Sequence, residues 1–185
     1  MRKLLFISIY FVILLILKPN ALMSQNMIYN FDNNSDLKKW VIVNDDVMGG
    51  ISSSNLIVER DGNGVFQGRI STAYNGGFSS LRFNCKKIYL NDNTHFKIRV
   101  KGDGKDYQFR IKSNRDDYYS YIISFKTSGE WETVNIPIKE MYASFRGRKL
   151  DMKNFDSDYF EQIIFLFGNK KDENFKLLID NIILI

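Results

Sequence analysis

Polar and apolar residues alternate with a period of two through three consecutive stretches of this chain. Phe96, Ile98 and Val100 alternate with Lys97, Arg99 and Lys101; Tyr107, Phe109 and Ile111 alternate with Gln108, Arg110 and Lys112; Val134, Ile136 and Ile138 alternate with Thr133, Asn135 and Pro137. Successive side chains of a strand point to opposite faces, so each stretch predicts a half-buried strand with one apolar face. Less regular strands are expected at 28–31, 40–43, 55–59, 65–71, 79–83, 119–125, 162–167 and 175–183. Gly102-Asp103-Gly104-Lys105 predicts a hairpin between the first two regular strands, because glycine supplies positive φ at no steric cost. Helical signal is confined to single turns at 35–40, 139–142 and 156–160. A strand about every ten residues predicts one all-β domain, an antiparallel sandwich.

Two glycine pairs stand out against this pattern. One lies in Asn44-Asp45-Asp46-Val47-Met48-Gly49-Gly50-Ile51-Ser52, the other in Asn75-Gly76-Gly77-Phe78-Ser79-Ser80-Leu81-Arg82. Glycine loses more backbone freedom on folding than any other residue, so paired glycines beside polar groups point to unusual angles or a close backbone approach. No Gly-Lys-Ser/Thr ending and no dinucleotide-type glycine triplet accompanies them, which excludes the common phosphate loops. Asp45 and Asp46 either accept backbone N–H groups in a tight turn or pair with Arg82 or Arg146. The two segments are expected to lie side by side as one rigid loop platform. Met48 and Phe78 are either contacts for a partner or plugs beneath the loops. Arg146 and Arg148 flank Gly147, a spacing that suits either an anion clamp or a local salt bridge.

These segments resemble the hallmarks of the complex I intermediate-associated protein 30 family, whose mitochondrial members assist assembly of NADH:ubiquinone oxidoreductase. Asp45 to Ser52 resembles the first hallmark and Asn75 to Arg82 the second. Gly102 to Tyr107 resembles the family's glycine-rich hairpin. Trp131 to Pro137, Phe145 to Arg148 and Leu178 to Ile182 resemble later landmarks, in order. The resemblance runs from about Phe31 to the C-terminus. It implies a galactose-binding-like jelly-roll β-sandwich and a non-catalytic, protein-handling role.

The N-terminus reads as a signal peptide. Arg2 and Lys3 precede an apolar run from Leu4 to Leu17, followed by Lys18-Pro19 and a small-residue zone ending at Ser24. The run is short of the roughly 20 apolar residues that a membrane span needs. Residues 1–24 are assigned to the signal and 25–185 to the single domain, with export to a periplasmic or extracellular space. Loss of Arg2, Lys3 and Lys18 leaves 23 basic against 21 acidic residues in place of 26 against 21. The basic residues alternate along strands rather than forming a stripe, so no nucleic-acid partner is expected. After signal cleavage no membrane contact is expected either.

Chemistry has few candidates. Cys85 is the sole cysteine and His95 the sole histidine. An unpaired cysteine without an acid–base companion is read as a small hydrophobe, and no catalytic residues are assigned. No cofactor or metal is expected beyond a structural calcium for which Asp32 and Asp180 would be the first ligands. The clustered Tyr118, Tyr119 and Tyr121 either stack on sugars or close the core edge. The expected function is non-enzymatic binding of a protein partner, with an assembly- or folding-factor role. Its surface is Asp45, Asp46, Met48, Gly49, Gly50, Asn75, Gly76, Gly77, Phe78, Arg82 and Arg146. The alternative is a carbohydrate-binding module, with a glycan as partner.

Overall fold

The alternating runs become strands, and their apolar faces meet between two antiparallel sheets. The computed structural model describes residues 26–185, leaving out the side chains of Val47 and Met48. The signal peptide therefore lies outside the described residues. Thirteen strands follow in chain order: β1 (Asn26–Asn30), β2 (Trp40–Asn44), β3 (Ser53–Val58), β4 (Gly64–Ile70), β5 (Ser79–Tyr89), β6 (His95–Lys101), β7 (Asp106–Lys112), β8 (Ser120–Lys126), β9 (Glu132–Pro137), β10 (Tyr142–Phe145), β11 (Arg148–Lys149), β12 (Tyr159–Phe167) and β13 (Glu173–Leu184). One sheet runs β3-β4-β13-β6-β9, with β1 continuing the β4 side of β13. The other runs β11-β10-β8-β7-β12-β5-β2.

The core between the sheets is aromatic. Phe96 and Phe109 face each other at 5.1 Å, Phe109 meets Phe165 edge-on at 5.5 Å, and Phe167 stacks on Phe175 at 4.5 Å. These rings are all within 3% of complete burial. Each large side chain so buried contributes roughly 1.5–3 kcal/mol. They come from β6, β7, β12 and β13, and the Phe96–Phe109 and Phe167–Phe175 contacts join the two layers.

Three local expectations differ from the structure. Gly102-Asp103-Gly104-Lys105 is not a hairpin, because β6 and β7 belong to different sheets. Both neighbours of β6 are already taken by β13 and β9, and both of β7 by β8 and β12. The chain instead crosses the edge of the sandwich. Gly102 is required there: a Cβ would lie 2.3 Å from Thr127 Oγ1. Thr127 Oγ1 accepts from Gly104 N at 3.1 Å and donates to Lys105 O at 3.0 Å. Second, 156–160 is no helical turn; Tyr159 and Phe160 open β12, paired with Tyr89 and Ile88 at the far end of β5. Third, only Lys139 and Glu140 of the turn expected at 139–142 are helical, within Ile138–Glu140, and Tyr142 begins the short strand β10. The turn within 35–40 is present as Leu37–Lys39, where the Asp36 side chain accepts from Lys38 N.

Candidate functional site

Both glycine pairs fold around one carboxylate. At the end of β2 the chain makes a 3₁₀ turn, Asp45–Met48, closed by Gly49 at φ +86°. The turn aims the Asp45 side chain inward, where it is fully buried. Its Oδ1 accepts from Ser52 N at 3.0 Å. Its Oδ2 accepts from Ser52 Oγ at 2.5 Å, Gly77 N at 2.5 Å and Phe78 N at 3.3 Å. Burial pushes the Asp45 carboxyl upward, but the Ser52 hydroxyl and the amides of Gly77, Ser52 and Phe78 together hold it below the usual carboxylate range. A carboxylate accepting several N–H bonds is stabilised as the anion.

The glycines follow from this packing. A Cβ on Gly50 would sit 2.3 Å from Asp45 Oδ1, and one on Gly76 would sit 2.5 Å from Asp45 Oδ2. Gly77 has φ +118°, a conformation that disfavours any side chain. One residue of each pair therefore makes room for the carboxylate, while its neighbour takes the positive φ. The two segments lie beside each other, joined by Asp45 acting as a backbone acceptor rather than by an Asp–Arg pair.

A second carboxylate extends the joint. Ser71 N donates to Ser52 Oγ at 3.0 Å. Asp172 Oδ1 accepts from Thr72 N at 2.7 Å and Thr72 Oγ1 at 2.6 Å, and Asp172 Oδ2 accepts from Ser71 Oγ at 3.2 Å. Hydrogen bonds from the Thr72 hydroxyl and amide lower the Asp172 pKa. Ser71, Thr72 and Asp172 carry no motif, and Ser52, though it ends the first hallmark, was not among the site residues expected from sequence. The nearest signal is Ser52 at the end of the first glycine segment.

The joint presents two large apolar side chains outward among polar ones. Ile51 is 62% exposed and Tyr74 72% exposed, each beside one of the glycine pairs. Tyr74 and Asn75 both hold positive φ, at 55° and 59°. Asn tolerates that region through its short polar side chain, whereas Tyr does not, so the turn is held against local preference. Asp46, Gly49 and Asn75 are exposed, and Phe78 is half-buried. The Met48 side chain lies outside the described residues.

Arg82 and Arg146 are not part of this joint. Arg82 sits on the outer face of the seven-stranded sheet and donates from Nε to Ser80 Oγ at 3.2 Å. Arg146 turns the β10–β11 hairpin at φ +48° and lies 5.3 Å over the Phe145 ring. Among the described residues Arg82, Arg146 and Arg148 form no ion pair, which corrects both the Asp–Arg tie and the local salt bridge expected of Arg146 or Arg148. Both line a polar cavity of about 230 Å³ together with Arg110, Lys112, Tyr118 and Tyr119. The tyrosine cluster divides: Tyr121 enters the core against Phe155 at 5.0 Å, while Tyr118 is 65% exposed.

The remaining candidates have local roles. Burial, with Glu161 nearby, pushes the Cys85 thiol up to about 11, away from nucleophile range. Cys85 is on β5, in the sheet opposite His95. Asp32 Oδ1 accepts from Asn34 N at 2.8 Å, and Asp180 Oδ2 lies 3.5 Å from Arg99 Nε. Among the described residues no three His, Cys, Asp or Glu side chains gather as a metal site.

Two layered antiparallel sheets with this strand order define a galactose-binding-like β-sandwich. The chain belongs to the complex I intermediate-associated protein 30 family, whose model matches residues 29–179. It is 25% identical to "Complex I intermediate-associated protein 30, mitochondrial" of Mus musculus, over 83% of this chain and 54% of that one. It is 26% identical to the "Probable complex I intermediate-associated protein 30, mitochondrial" of Caenorhabditis elegans, over 83% of this chain and 52% of that one. The chain thus spans about half the length of these curated relatives. In fold it is similar to the family 11 carbohydrate-binding module of Clostridium thermocellum in complex with a β-1,3-1,4-mixed-linked tetrasaccharide. That match has a TM-score of 0.63 and 18% identity, covering 87% of this chain and 95% of that one. A family 29 carbohydrate-binding module matches with a TM-score of 0.51 and 15% identity, covering 87% and 91%.

Proposed function

We propose that the chain is a non-catalytic, exported binding module that docks a protein partner on the ledge around Asp45, in an assembly- or folding-factor role. The observation that carries this reading is the joint itself. One buried carboxylate pins two glycine-rich loops, and those loops hold Ile51 and Tyr74 out to solvent. A pinned loop loses little conformational freedom on association, so more of its contact energy appears as affinity. Tyr74 is of a residue type enriched at interface hot spots. Membership in a family named for complex I assembly supports a protein-handling role. Export would place this member with a different client.

The test is affinity capture from the exported fraction with wild-type protein, Ile51→Asp and, as control, Tyr89→Asp on the opposite end of β5. A client lost with Ile51→Asp and kept with Tyr89→Asp is the expected result. Equal recovery by all three overturns the reading. A second reading, binding of a glycan, is supported by the polar cavity on the seven-stranded sheet and by the fold of the carbohydrate-binding modules.

A further inference from the structure

The outer face of the seven-stranded sheet carries charge that the fold does not neutralise. Arg82 on β5 and Arg110 on β7 both pair across β12 with Ile164, so the three stand in one row of the sheet. At one strand spacing each, their Cα atoms lie about 10 Å apart. Lys112 is two residues along β7 and so shares that face, and Arg146 closes the cavity from the β10–β11 hairpin.

These cations are held by neutral acceptors. Arg110 donates from Nε (3.0 Å) and Nη2 to Gln108 Oε1 and from Nη1 to Ser120 Oγ at 3.2 Å. Arg82 donates to Ser80 Oγ. Lys112 Nζ donates to the backbone oxygens of Asp117 at 2.6 Å and Arg115 at 3.3 Å. The ion pairs among the described residues are Arg99–Asp180, Lys101–Glu130, Lys105–Asp103 and Lys176–Glu59, none of them here. Asp117 supplies the one carboxylate in the lining, against four cationic side chains. Burial lowers the Arg110 pKa to about 10; Tyr142 opposes the shift and the nearby Arg82 charge adds to it. Half-burying like charges together is unfavourable, and Arg82 and Arg110 both line the cavity. At the rim, Tyr118 and Phe145 meet edge-on at 5.1 Å, and both are exposed. Ser80, Ser120 and Ser144 add hydroxyls to the lining.

We propose that this cavity is a second binding site, for an acidic saccharide whose carboxylate or sulfate lies between Arg82 and Arg110 and whose ring rests against Tyr118 and Phe145. Guanidinium groups recognise either anion through paired N–H bonds. A cavity of about 230 Å³ takes one charged sugar unit rather than a folded surface. The proposal rests on the glycan reading of this cavity and is independent of the ledge around Asp45.

Native affinity electrophoresis of the full chain tests this, with gels containing polygalacturonate, chondroitin sulfate or neutral mixed-linkage β-glucan. Retardation by polygalacturonate, chondroitin sulfate or both is expected, the pattern showing whether carboxylate or sulfate is preferred. Arg82→Gln and Arg110→Gln should each weaken it by about tenfold, the scale of one charge-assisted pair. Arg146→Gln, whose side chain is exposed, should weaken it without touching the fold, and 0.5 M NaCl should weaken it further. The remote control Lys170→Gln/Lys171→Gln and the ledge variant Ile51→Asp should leave it intact. Retardation by neutral glucan alone, by no polysaccharide, or by polyanions regardless of Arg82, Arg110 and Arg146 overturns the proposal.

Discussion

Replacing Asp45 by Ala removes the only acceptor that three buried or half-buried backbone amides share. Ser52 N, Gly77 N and Phe78 N lose their partner, and the Ser52 hydroxyl loses a 2.5 Å bond. Each orphaned buried donor costs about 1–3 kcal/mol. Loop relaxation and entry of water offset part of this, so a net loss of about 3–5 kcal/mol is expected against a total of about 5–15 kcal/mol. Urea unfolding, followed by tryptophan fluorescence, should show the midpoint falling with an unchanged slope. In a domain this size the melting temperature should fall by about 6–20 °C. The pH dependence is a sharper test. Asp45 has a lowered pKa in the folded state, so its contribution is fully present above the unfolded value of about 3.9 and is lost as pH falls through the folded value. The gap between wild type and Asp45→Ala should therefore be constant at neutral pH and close progressively below about pH 4. A loss under about 1 kcal/mol, or a gap as wide at pH 3 as at pH 7, would refute the joint as a source of stability.

Three further outcomes follow from the same structure. Gly50→Ala should cost about 1–3 kcal/mol, because its Cβ would meet Asp45 Oδ1 at 2.3 Å; in the Asp45→Ala background most of that cost should vanish, a coupling readable from a double-mutant cycle. Cys85, with its thiol raised to about 11, should alkylate at pH 8 roughly a hundredfold more slowly than a free cysteine peptide, and readily in urea. Export as proposed predicts a chain starting at Gln25 by intact-mass analysis, whereas retention of residues 1–24 would contradict export with cleavage.

The strands and the site were legible to different degrees. The alternation at Phe96–Lys101 and Tyr107–Lys112 specified faces and hence strands, but it says nothing about which strand lies next door. The Gly102–Lys105 link therefore read as a hairpin although it crosses between sheets. Strand β10 was hidden because Ala143 and Ser144 are buried on opposite faces of a four-residue element, which erases the period. At the site, the glycine pairs and Asp45 were readable because paired glycines beside an acid call for positive φ or a close approach, and each pair supplies one of each. The choice between backbone amides and arginines was not readable, since it depends on Asp45 being turned inward while Arg82 projects from the opposite side of its sheet. Asp172 had no local signature; its partners Ser71 and Thr72 lie a hundred residues away in sequence.

Site-specific photo-crosslinking bears most directly on the ledge. A benzophenone side chain placed at Tyr74, and separately at the comparably exposed Tyr89, is irradiated in the native cell. A discrete, client-sized adduct from position 74 that disappears with Ile51→Asp, and none from position 89, is expected. Adducts from 89 but not 74, or adducts at 74 indifferent to Ile51, would contradict docking on the ledge.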